Sequence, residues 1–397
     1  GYSRQGSGPV NFDVRLYQQN VSRKIDAWAN GPLQRETTMT DVSFDTTGLD
    51  ARADWALNDR HLISFGFNGW RMSASPDRRM FSSGTYVQNN PFADGRVQAA
   101  GVYVQDDMRF GKLGVVAGLR YDRVRGDAAS INNGAVTTGL KRSDGAVSGS
   151  LGAIYEVAPL LRPYASFSRG FRPGEMRERF EASPRGDGYF YVGNPQIEPE
   201  IAQQIELGVK GQSPDLAWFA AVYRNRISDY ITGRATGQQQ NGLPVRQTIN
   251  LGQVRITGLE LGARWQFARD QWLGLGYSRL RGRNQDFNEP LYQMPADEVT
   301  VSWDGRIAAG WRADARVRHV LKQTRVATVF ARGLEDATPG FTTLDVGATW
   351  TRGPHQVRVA VTNLTNRKYH EHLAEGLAGY EVPAPGRSVG IQYNLKF

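Results

Sequence analysis

Apolar and polar residues alternate with a period of two along most of the chain. The clearest case is residues 389–397, where Val389, Ile391 and Tyr393 are separated by single polar or small residues. The same pattern recurs in residues 49–57, 113–122, 259–267 and 311–318. Successive side chains of a β-strand point to opposite faces, so each segment has one apolar face and one charged or small face. The pattern predicts strands and not helices.

The connections between the predicted strands alternate between very short and long. The short ones are Asn58-Asp59, Gly111-Lys112, Ala158-Pro159, Ser213-Pro214, Ala268-Arg269-Asp270, Asp304-Gly305 and Gly353-Pro354. The long ones cover 74–95, 126–144, 171–198, 233–246, 322–340 and 365–386, well beyond the usual hairpin loop of about two to five residues. Tight turns at one rim and long loops at the other are typical of an outer-membrane barrel, whereas a soluble sandwich has no reason to segregate them.

Tryptophans favour the same interpretation. Five of them adjoin the short turns on the apolar side of their strands: Trp55, Trp265, Trp303, Trp311 and Trp350. A belt of tryptophan at one membrane interface explains this placement. Core tryptophans of a soluble fold would not be kept at one level of every strand.

About sixteen strands are predicted, and no linker or second domain is evident. They cover 9–28, 37–57, 61–73, 95–110, 113–126, 145–157, 161–171, 198–211, 216–233, 246–268, 272–284, 293–303, 310–322, 341–352, 355–369 and 386–397. An even number places both ends of the chain at the short-turn rim. The predicted fold class is all-β, an antiparallel up-and-down transmembrane β-barrel formed by residues 1–397.

Composition excludes several other classes of protein. The 397 residues include no cysteine, which excludes disulfide scaffolds, thiolate zinc sites and cysteine nucleophiles. The formal net charge is +9, but the arginines are dispersed among acids, so we do not expect nucleic acid as a partner. We find no phosphate-binding glycine loop, no helical zinc motif and no catalytic triad, and we expect no enzymatic activity and no bound cofactor.

Several local motifs carry a resemblance to a known family. They are Tyr164 to Gly174 (YASFSRGFRPG), Gly193 to Glu200 (GNPQIEPE), Gly258-Leu259-Glu260, Val361 to Tyr369 (VTNLTNRKY), Pro385 to Ser388 (PGRS) and the terminal Tyr393 to Phe397 (YNLKF). In this order, they resemble the motifs of TonB-dependent outer-membrane receptors. The closing Phe397 resembles the terminal aromatic residue that barrel-assembly machinery recognises.

The resemblance implies a barrel of about 22 strands that is plugged by an N-terminal globular domain. Neither the plug nor the first strands are found here, so the chain looks like the C-terminal portion of such a receptor, corresponding to its last sixteen or so strands. The implied location is the bacterial outer membrane, in contact with lipid and lipopolysaccharide. The implied task is energy-coupled uptake of a metal ion or metal chelate, with TonB engaged through the missing N-terminal part. A plugless barrel that acts as a passive porin remains the alternative.

Candidate metal ligands lie at the predicted loop ends. His370 and His372 would share the lumen side if the chain stays extended there, and imidazole is a common metal ligand. Met176, like Met39 and Met80, lies on the long-loop side, and thioether sulfur suits Cu(I). The C-terminal third resembles copper-type receptors of the family. The alternatives are loop structure for the histidines and adaptable packing for the methionines.

An anionic ferric siderophore is the other candidate ligand. Arginines in the loops would bind its charge and tyrosines would provide stacking surfaces: Arg177, Arg179, Arg185, Arg234, Arg246, Tyr189, Tyr191 and Tyr230. The alternative for these arginines is contact with lipopolysaccharide phosphates or solvent. Haem is disfavoured, because residues 174–193 contain no histidine and Phe171-Arg172-Pro173 lacks a residue of the family's box.

Overall fold

The computed structural model describes residues 2–4, 8–28, 36–185, 188–332, 335–374 and 382–396. Their regular structure is almost wholly β, with one short helix, α1 (Met176–Phe180), in this part of the chain. No helix among these residues is long and apolar enough to cross a membrane. The terminal Phe397, to which the sequence assigns an assembly role, lies outside the described residues.

The described residues contain strands of very different lengths. In chain order they are β1 (Tyr2–Arg4), β2 (Val10–Trp28), β3 (Glu36–Asn58), β4 (His61–Ala74), β5 (Asp77–Ser82), β6 (Thr85–Gln88), β7 (Phe92–Ala93), β8 (Gly95–Phe110), β9 (Leu113–Asp127), β10 (Ser130–Ile131), β11 (Lys141–Tyr155), β12 (Arg162–Arg172), β13 (Ala182–Pro184), β14 (Phe190–Val192), β15 (Glu200–Gln212), β16 (Leu216–Gln240), β17 (Leu243–Ala268), β18 (Gln271–Asn284), β19 (Glu289–Pro290), β20 (Glu298–Ala308), β21 (Trp311–Val320), β22 (Phe341–Arg352), β23 (His355–Thr362) and β24 (Ser388–Leu395). Sixteen of those described have eight residues or more, which confirms the predicted count.

The chain divides into two compact units, of which the first is Gly1–Ala153, Phe167–Gln203 and Ile227–Gln253. Its long strands pair antiparallel with their neighbours in sequence, β2 with β3, β3 with β4, β4 with β8 and β8 with β9. One pairing is parallel, between β14 and the start of β17. One apolar cluster of this unit joins α1 to strands β3, β4, β8 and β9, and it is formed by Val42, Ala74, Phe92, Val97, Val124, Leu140, Met176 and Phe180.

The second unit is Ile154–Ser166, Gln204–Arg226 and Val254–Phe397. Its pairings follow the chain in an up-and-down order, from β17 through β18, β20, β21, β22 and β23 to β24, and all of them are antiparallel. A hairpin path of this kind satisfies the backbone of each strand through its sequence neighbours, so no long crossover is needed.

The two faces of the strands differ as the alternation predicts. In β23 and β24, Val359 lies opposite Ile391 and Val361 lies opposite Val389. Ile391 is 75% exposed and Val389 is 66% exposed, although both are large and apolar. On the other face, Arg358 donates to Asp314 at 2.7 Å. Rows of exposed aliphatic side chains are costly in water and are expected against lipid, so this arrangement is that of an outer-membrane strand.

The predicted tight turns are largely confirmed. Only two residues separate β3 from β4, β8 from β9, β17 from β18 and β22 from β23. Asp270 and Gly353 adopt positive φ angles of 58° and 56°, which allow such short reversals. Trp55, Trp265 and Trp311 adjoin these turns or begin a strand and are 39%, 49% and 43% exposed, consistent with an interfacial belt.

Two predicted connections are wrong. Asp304-Gly305 is not a turn, because β20 continues to Ala308 and reverses at Gly310, whose φ is 76°. Trp303 is therefore further from the turn than expected, and its indole N–H donates to Gln271 at 2.9 Å. Residues 233–246 are not a long loop either, since β16 and β17 extend as a hairpin that turns at Asn241-Gly242. Polar residues here face water on both sides of a strand, which removes the apolar alternation but not the backbone pairing.

A buried carboxylate organises the loop 321–340 in the second unit. Glu289 accepts hydrogen bonds from the backbone N–H groups of Thr328, Val329 and Phe330 at 2.8, 2.9 and 2.7 Å. Burial opposes ionisation of this group, but the three backbone donors outweigh it and lower the pKa of Glu289. The loop is thus folded around a fixed negative charge.

The assignment of the faces predicts an asymmetric response to charge in β15. Ile205 is 56% exposed on the apolar face, whereas Gln204 on the other face donates to Glu206 at 3.2 Å. Ile205→Arg should destabilise the folded protein by about 2–4 kcal/mol, because it places a charge in hydrocarbon. Gln204→Arg, the matched control, should change stability little. Urea unfolding in lipid vesicles measures both, and equal losses would contradict the assignment.

Candidate ligand-binding loops

The connection between β12 and β15, residues 173–199, carries most of the predicted ligand residues. It contains α1, β13 and β14. Helix α1 begins with a capping box, in which the Glu178 carboxylate accepts the Glu175 N–H at 2.8 Å. After Phe180 the chain becomes extended and forms the β13–β14 hairpin, in which Ala182 lies opposite Val192. The described residues of this connection are therefore held in part by contacts within it.

Arg179 joins the two sequence motifs at the ends of this connection, residues 164–174 and 193–200. Its guanidinium donates to the Gly174 carbonyl at 2.9 Å and to the carbonyls of Pro195 and Ile197 at 3.2 and 3.3 Å. Its Nη2 also donates to Asp144 at 2.7 Å. Burial lowers the pKa of Arg179, although the charge of Asp144 opposes the shift. Gly174 must be glycine here, since a Cβ would approach Ile197 to 2.4 Å.

Arg172 adds a second charged junction. It donates to both Glu200 oxygens at 2.9 Å and to both Glu178 oxygens at 3.0 and 2.8 Å. Glu200 also accepts the backbone N–H of Ile231 at 2.7 Å, which ties β15 to β16. The motif residues of the two boxes thus hold the base of the connection in place.

Two of the predicted ligand residues are buried in these contacts. Arg179 is 2% exposed, and Met176 is 3% exposed within the apolar cluster of the first unit. The Arg179 guanidinium is used in hydrogen bonds within the protein, and the Met176 side chain packs in the apolar cluster. Neither side chain is available at the loop surface. Arg177, by contrast, is partly exposed on α1, and burial lowers its pKa despite the nearby charge of Glu181.

Arginines and tyrosines stack where β14 meets β17. The parallel pairing of these strands places Tyr191 opposite Arg246, whose Nη1 donates to the tyrosine hydroxyl at 3.2 Å. Arg246 also lies 4.6 Å from the ring centroid of Tyr189. Arg185 lies 3.7 Å over the Tyr191 ring and donates to the buried carboxylate of Glu181 at 2.9 Å. We call Arg185, Tyr189, Tyr191 and Arg246 the arginine–tyrosine cluster.

A further arginine near this cluster was not predicted. Arg78 in β5 is 5% exposed and donates to the Pro184 carbonyl at 2.9 Å. Burial lowers its pKa, while the charge of Glu181 opposes the shift. The sequence feature that could have indicated it is the Arg78-Arg79 pair within the predicted long loop 74–95. Tyr230 and Arg234 are partly buried on β16. Because this strand continues beyond its predicted end at residue 233, Arg234 lies on a strand and not, as predicted, in a loop.

The predicted histidines belong to the second unit. His372 lies 3.3 Å from a Glu335 oxygen and 3.2 Å from the Thr338 hydroxyl. The side chains of His372 and Glu335 are each 5% exposed. Because β23 ends at Thr362, residues 370 and 372 are not in the extended strand on which the prediction of a shared lumen side depended. Among the described residues, no group of three or more His, Asp or Glu side chains is placed to hold a metal ion.

Comparisons with known proteins decide the family. The family model described as "TonB dependent receptor-like, beta-barrel" matches residues 1–364. The chain belongs to this family. Its members are outer-membrane receptors of Gram-negative bacteria and are not enzymes, so the predicted family, fold class and location are confirmed.

Individual relatives are distant. The chain is 27% identical over 282 residues to the hemin receptor of Yersinia enterocolitica, a match that covers 63% of this chain and 38% of that protein. It is 24% identical over 295 residues to the ferrioxamine receptor of the same organism, covering 71% of this chain and 38% of that protein. Among solved structures, the copper transporter OprC superposes with a TM-score of 0.86 at 20% identity, covering all of this chain and 64% of that one.

The chain therefore spans well under two thirds of the length of the curated relatives that it matches. The likeness to OprC, at 20% identity, establishes the fold alone.

Removal of the Arg179 side chain should loosen the base of this connection. Arg179→Ala deletes a buried ion pair and three hydrogen bonds to carbonyl groups. We expect the free energy of unfolding to fall by about 3 kcal/mol. This is the lower end for loss of one partner of a buried ion pair, because Asp144 keeps Arg142 as a partner. Limited proteolysis should cut residues 173–199 faster in this variant. Arg177→Ala, one position away on α1, is the control and should behave as the parent. Equal cleavage of all three proteins would contradict this structural role.

Proposed function

We propose that this receptor takes up a metal chelate with anionic character, a ferric siderophore type of ligand, and that the arginine–tyrosine cluster contributes to its binding. The observation that supports the proposal is the stacking of two guanidinium groups on two phenol rings beside a parallel strand pair. Guanidinium groups bind carboxylate and other planar anions through paired hydrogen bonds, and phenol rings offer stacking surfaces for planar ligands.

The geometry of the cluster suits recognition because its members are held by backbone pairing. Tyr191 and Arg246 face each other in register, and the Glu181 carboxylate positions Arg185. A preorganised set loses less side-chain entropy on binding than free surface arginines would. Tyr230, Arg234 and Arg177 extend the proposal as further candidates on the same unit.

Uptake would be coupled to energy through TonB. We propose that the 397 residues supply barrel strands of the receptor and that the plug, which engages TonB, belongs to sequence outside them. The alternative is a plugless passive porin. A steady open-channel current of the purified full-length protein in a planar bilayer would support the porin and oppose the coupled receptor.

Neutralising the cluster should weaken binding of an anionic chelate. We expect Arg185→Gln with Arg246→Gln to lower the affinity of the full-length receptor for ferric citrate by about tenfold or more, because two charge-assisted contacts are lost. Quenching of tryptophan fluorescence measures the affinity for ferric citrate. Arg60→Gln with Arg109→Gln makes the same change of charge at the short-turn rim and should leave the affinity unaltered. An unchanged affinity in the cluster variant would remove the cluster from the proposal.

Uptake of a bare metal ion is the second candidate, and it would involve His370 and His372. The fold shared with a copper transporter motivates this reading. Met176, the third metal ligand predicted from the sequence, is 3% exposed within the apolar cluster of the first unit and is not part of this candidate. We expect His370→Ala with His372→Ala to weaken Cu²⁺ binding if imidazole is a ligand. Calorimetry with Cu²⁺ alone tests this, and an unchanged affinity would dismiss the histidines. Thr338→Val, which removes only a hydrogen-bonding partner of His372, is the control for loss of loop structure.

A further inference from the structure

Arg78 is a buried cation that the proposed function does not use. It lies in β5, in the same compact unit as the arginine–tyrosine cluster, and it is 5% exposed. Its Nη2 donates to the Pro184 carbonyl at 2.9 Å, and its Nε is buried with no hydrogen-bond partner among the described residues. A buried guanidinium with so few partners costs free energy, because its charge has lost water and gained little in return. The position of this charge therefore points to a functional role.

Arg78 also holds the main chain directly before Arg185. Pro184 ends β13, and Arg185 is the next residue, whose guanidinium lies 3.7 Å over the Tyr191 ring. The backbone of Arg78 is itself fixed, because its N–H donates to the side-chain oxygen of Asn90 at 2.8 Å. The hydrogen bond from Arg78 to Pro184 thus joins β5 to the connection that presents Arg185.

Arg78 and Arg185 share one carboxylate, that of Glu181. Glu181 is 7% exposed, and it accepts hydrogen bonds from Arg185 Nε and from the Ser183 hydroxyl, both at 2.9 Å. Its charge also acts on Arg78, where it opposes the lowering of the pKa by burial, and on Arg177 in the same sense. One carboxylate cannot cancel the charge of more than one guanidinium group. The arginines that depend on Glu181 therefore carry more positive charge than this residue can balance.

We propose that Arg78 is a positioning residue for the anionic chelate and that it acts by offsetting the charge of Glu181. This inference rests on the proposed function and adds a residue that does not touch the ligand. Without Arg78, the ion pair of Glu181 and Arg185 would have no net charge with which to attract an anion. With Arg78, the carboxylate still orients Arg185, and the three groups together keep one positive charge for the ligand.

Burial makes this offset effective. Charges act on each other more strongly where water is excluded, and salt screens buried groups much less than exposed ones. Arg78 and Glu181 are both buried, so the offset persists in salt. The neighbouring Arg79 has a side chain that is 59% exposed and lies 3.3 Å from Asp77, so water and salt screen its charge. Position 78, and not position 79, therefore suits a charge that must act on Glu181.

A purely structural role of Arg78 makes a different prediction. If Arg78 only held the Pro184 carbonyl, its loss would disturb the main chain before Arg185 whatever the charge of residue 181. If Arg78 offsets Glu181, removal of the Glu181 charge should compensate for its loss. A pair of substitutions at positions 78 and 181 therefore separates the two roles.

The test measures the affinity of the full-length receptor for ferric citrate by tryptophan fluorescence. Arg78→Met should lower it by about fivefold or more, because Glu181 then cancels the charge of Arg185. Arg78→Met with Glu181→Gln should regain most of the affinity, since both opposing charges are gone and an amide oxygen still accepts from Arg185. Arg79→Met is the matched control on β5 and should bind as the parent does. A double variant that binds as weakly as Arg78→Met would overturn the inference.

Glu181→Gln alone keeps the inference testable if Arg78→Met does not fold. It removes the opposing charge without touching Arg78, so the affinity for ferric citrate should rise by about twofold or more. An unchanged or lower affinity of this variant would contradict the charge offset.

A second readout needs no chelate and separates this inference from the proposed function. Phenylglyoxal modifies arginine side chains, and mass spectrometry of peptides gives the rate at Arg185. Arg78→Met should slow this modification by about threefold or more, because Glu181 then holds the Arg185 guanidinium more tightly, and Glu181→Gln added to it should restore the rate. Equal rates in the parent and Arg78→Met would overturn the inference. Failure of the parent to bind ferric citrate, with the expected rates, would contradict the proposed ligand and support the charge offset.

Discussion

The structure depends on the requirement that every strand meet lipid with one face and water with the other. A backbone in hydrocarbon must satisfy its N–H and C=O groups internally, and up-and-down pairing with sequence neighbours does so. Once the pairing is fixed, side chains have only two possible directions. Ile391 and Val389 remain widely exposed, whereas Arg358 and Asp314 form an ion pair on the other side. The apolar surface that would be a liability in water is thus the surface that holds the protein in the membrane.

The loops follow a different rule, because they must be ordered outside the bilayer without a large core. Buried charged groups add to a small amount of apolar packing at their bases. Arg179 gathers carbonyl groups from both ends of one connection, and Glu289 gathers amide groups of another. A single ion that binds several backbone groups fixes a loop at few positions. The side chains between those positions are then available for ligand recognition.

Strand number and most turns could be predicted from the sequence, because lipid imposes a strict alternation that is visible in the residues themselves. Prediction failed where that constraint stops. Beyond the membrane both faces of β16 and β17 meet water, so the hairpin at Asn241-Gly242 has no apolar row to reveal it. Within β20, a Gly next to an Asp resembles a turn, although the strand continues through it.

The candidate site was less accessible to prediction than the fold. Residue type alone indicates that Arg179 and Arg246 can bind an anion. It does not indicate that Arg179 is 2% exposed and donates its hydrogen bonds to carbonyl groups. The parallel pairing that brings Tyr191 against Arg246 joins residues 55 positions apart in the chain, and no local pattern encodes it. The buried Arg78 was missed for the same reason, since its contact with the Pro184 carbonyl joins residues far apart in the chain.

The way in which Glu289 holds its loop has a consequence for how the surface of this protein can evolve. The carboxylate binds the main chain of Thr328, Val329 and Phe330, and any residue other than proline supplies the same N–H group. Val329 is 58% exposed, so its side chain contributes little to the fold. The outward positions of this loop can therefore diversify under pressure from antibodies or phages while the loop keeps its shape.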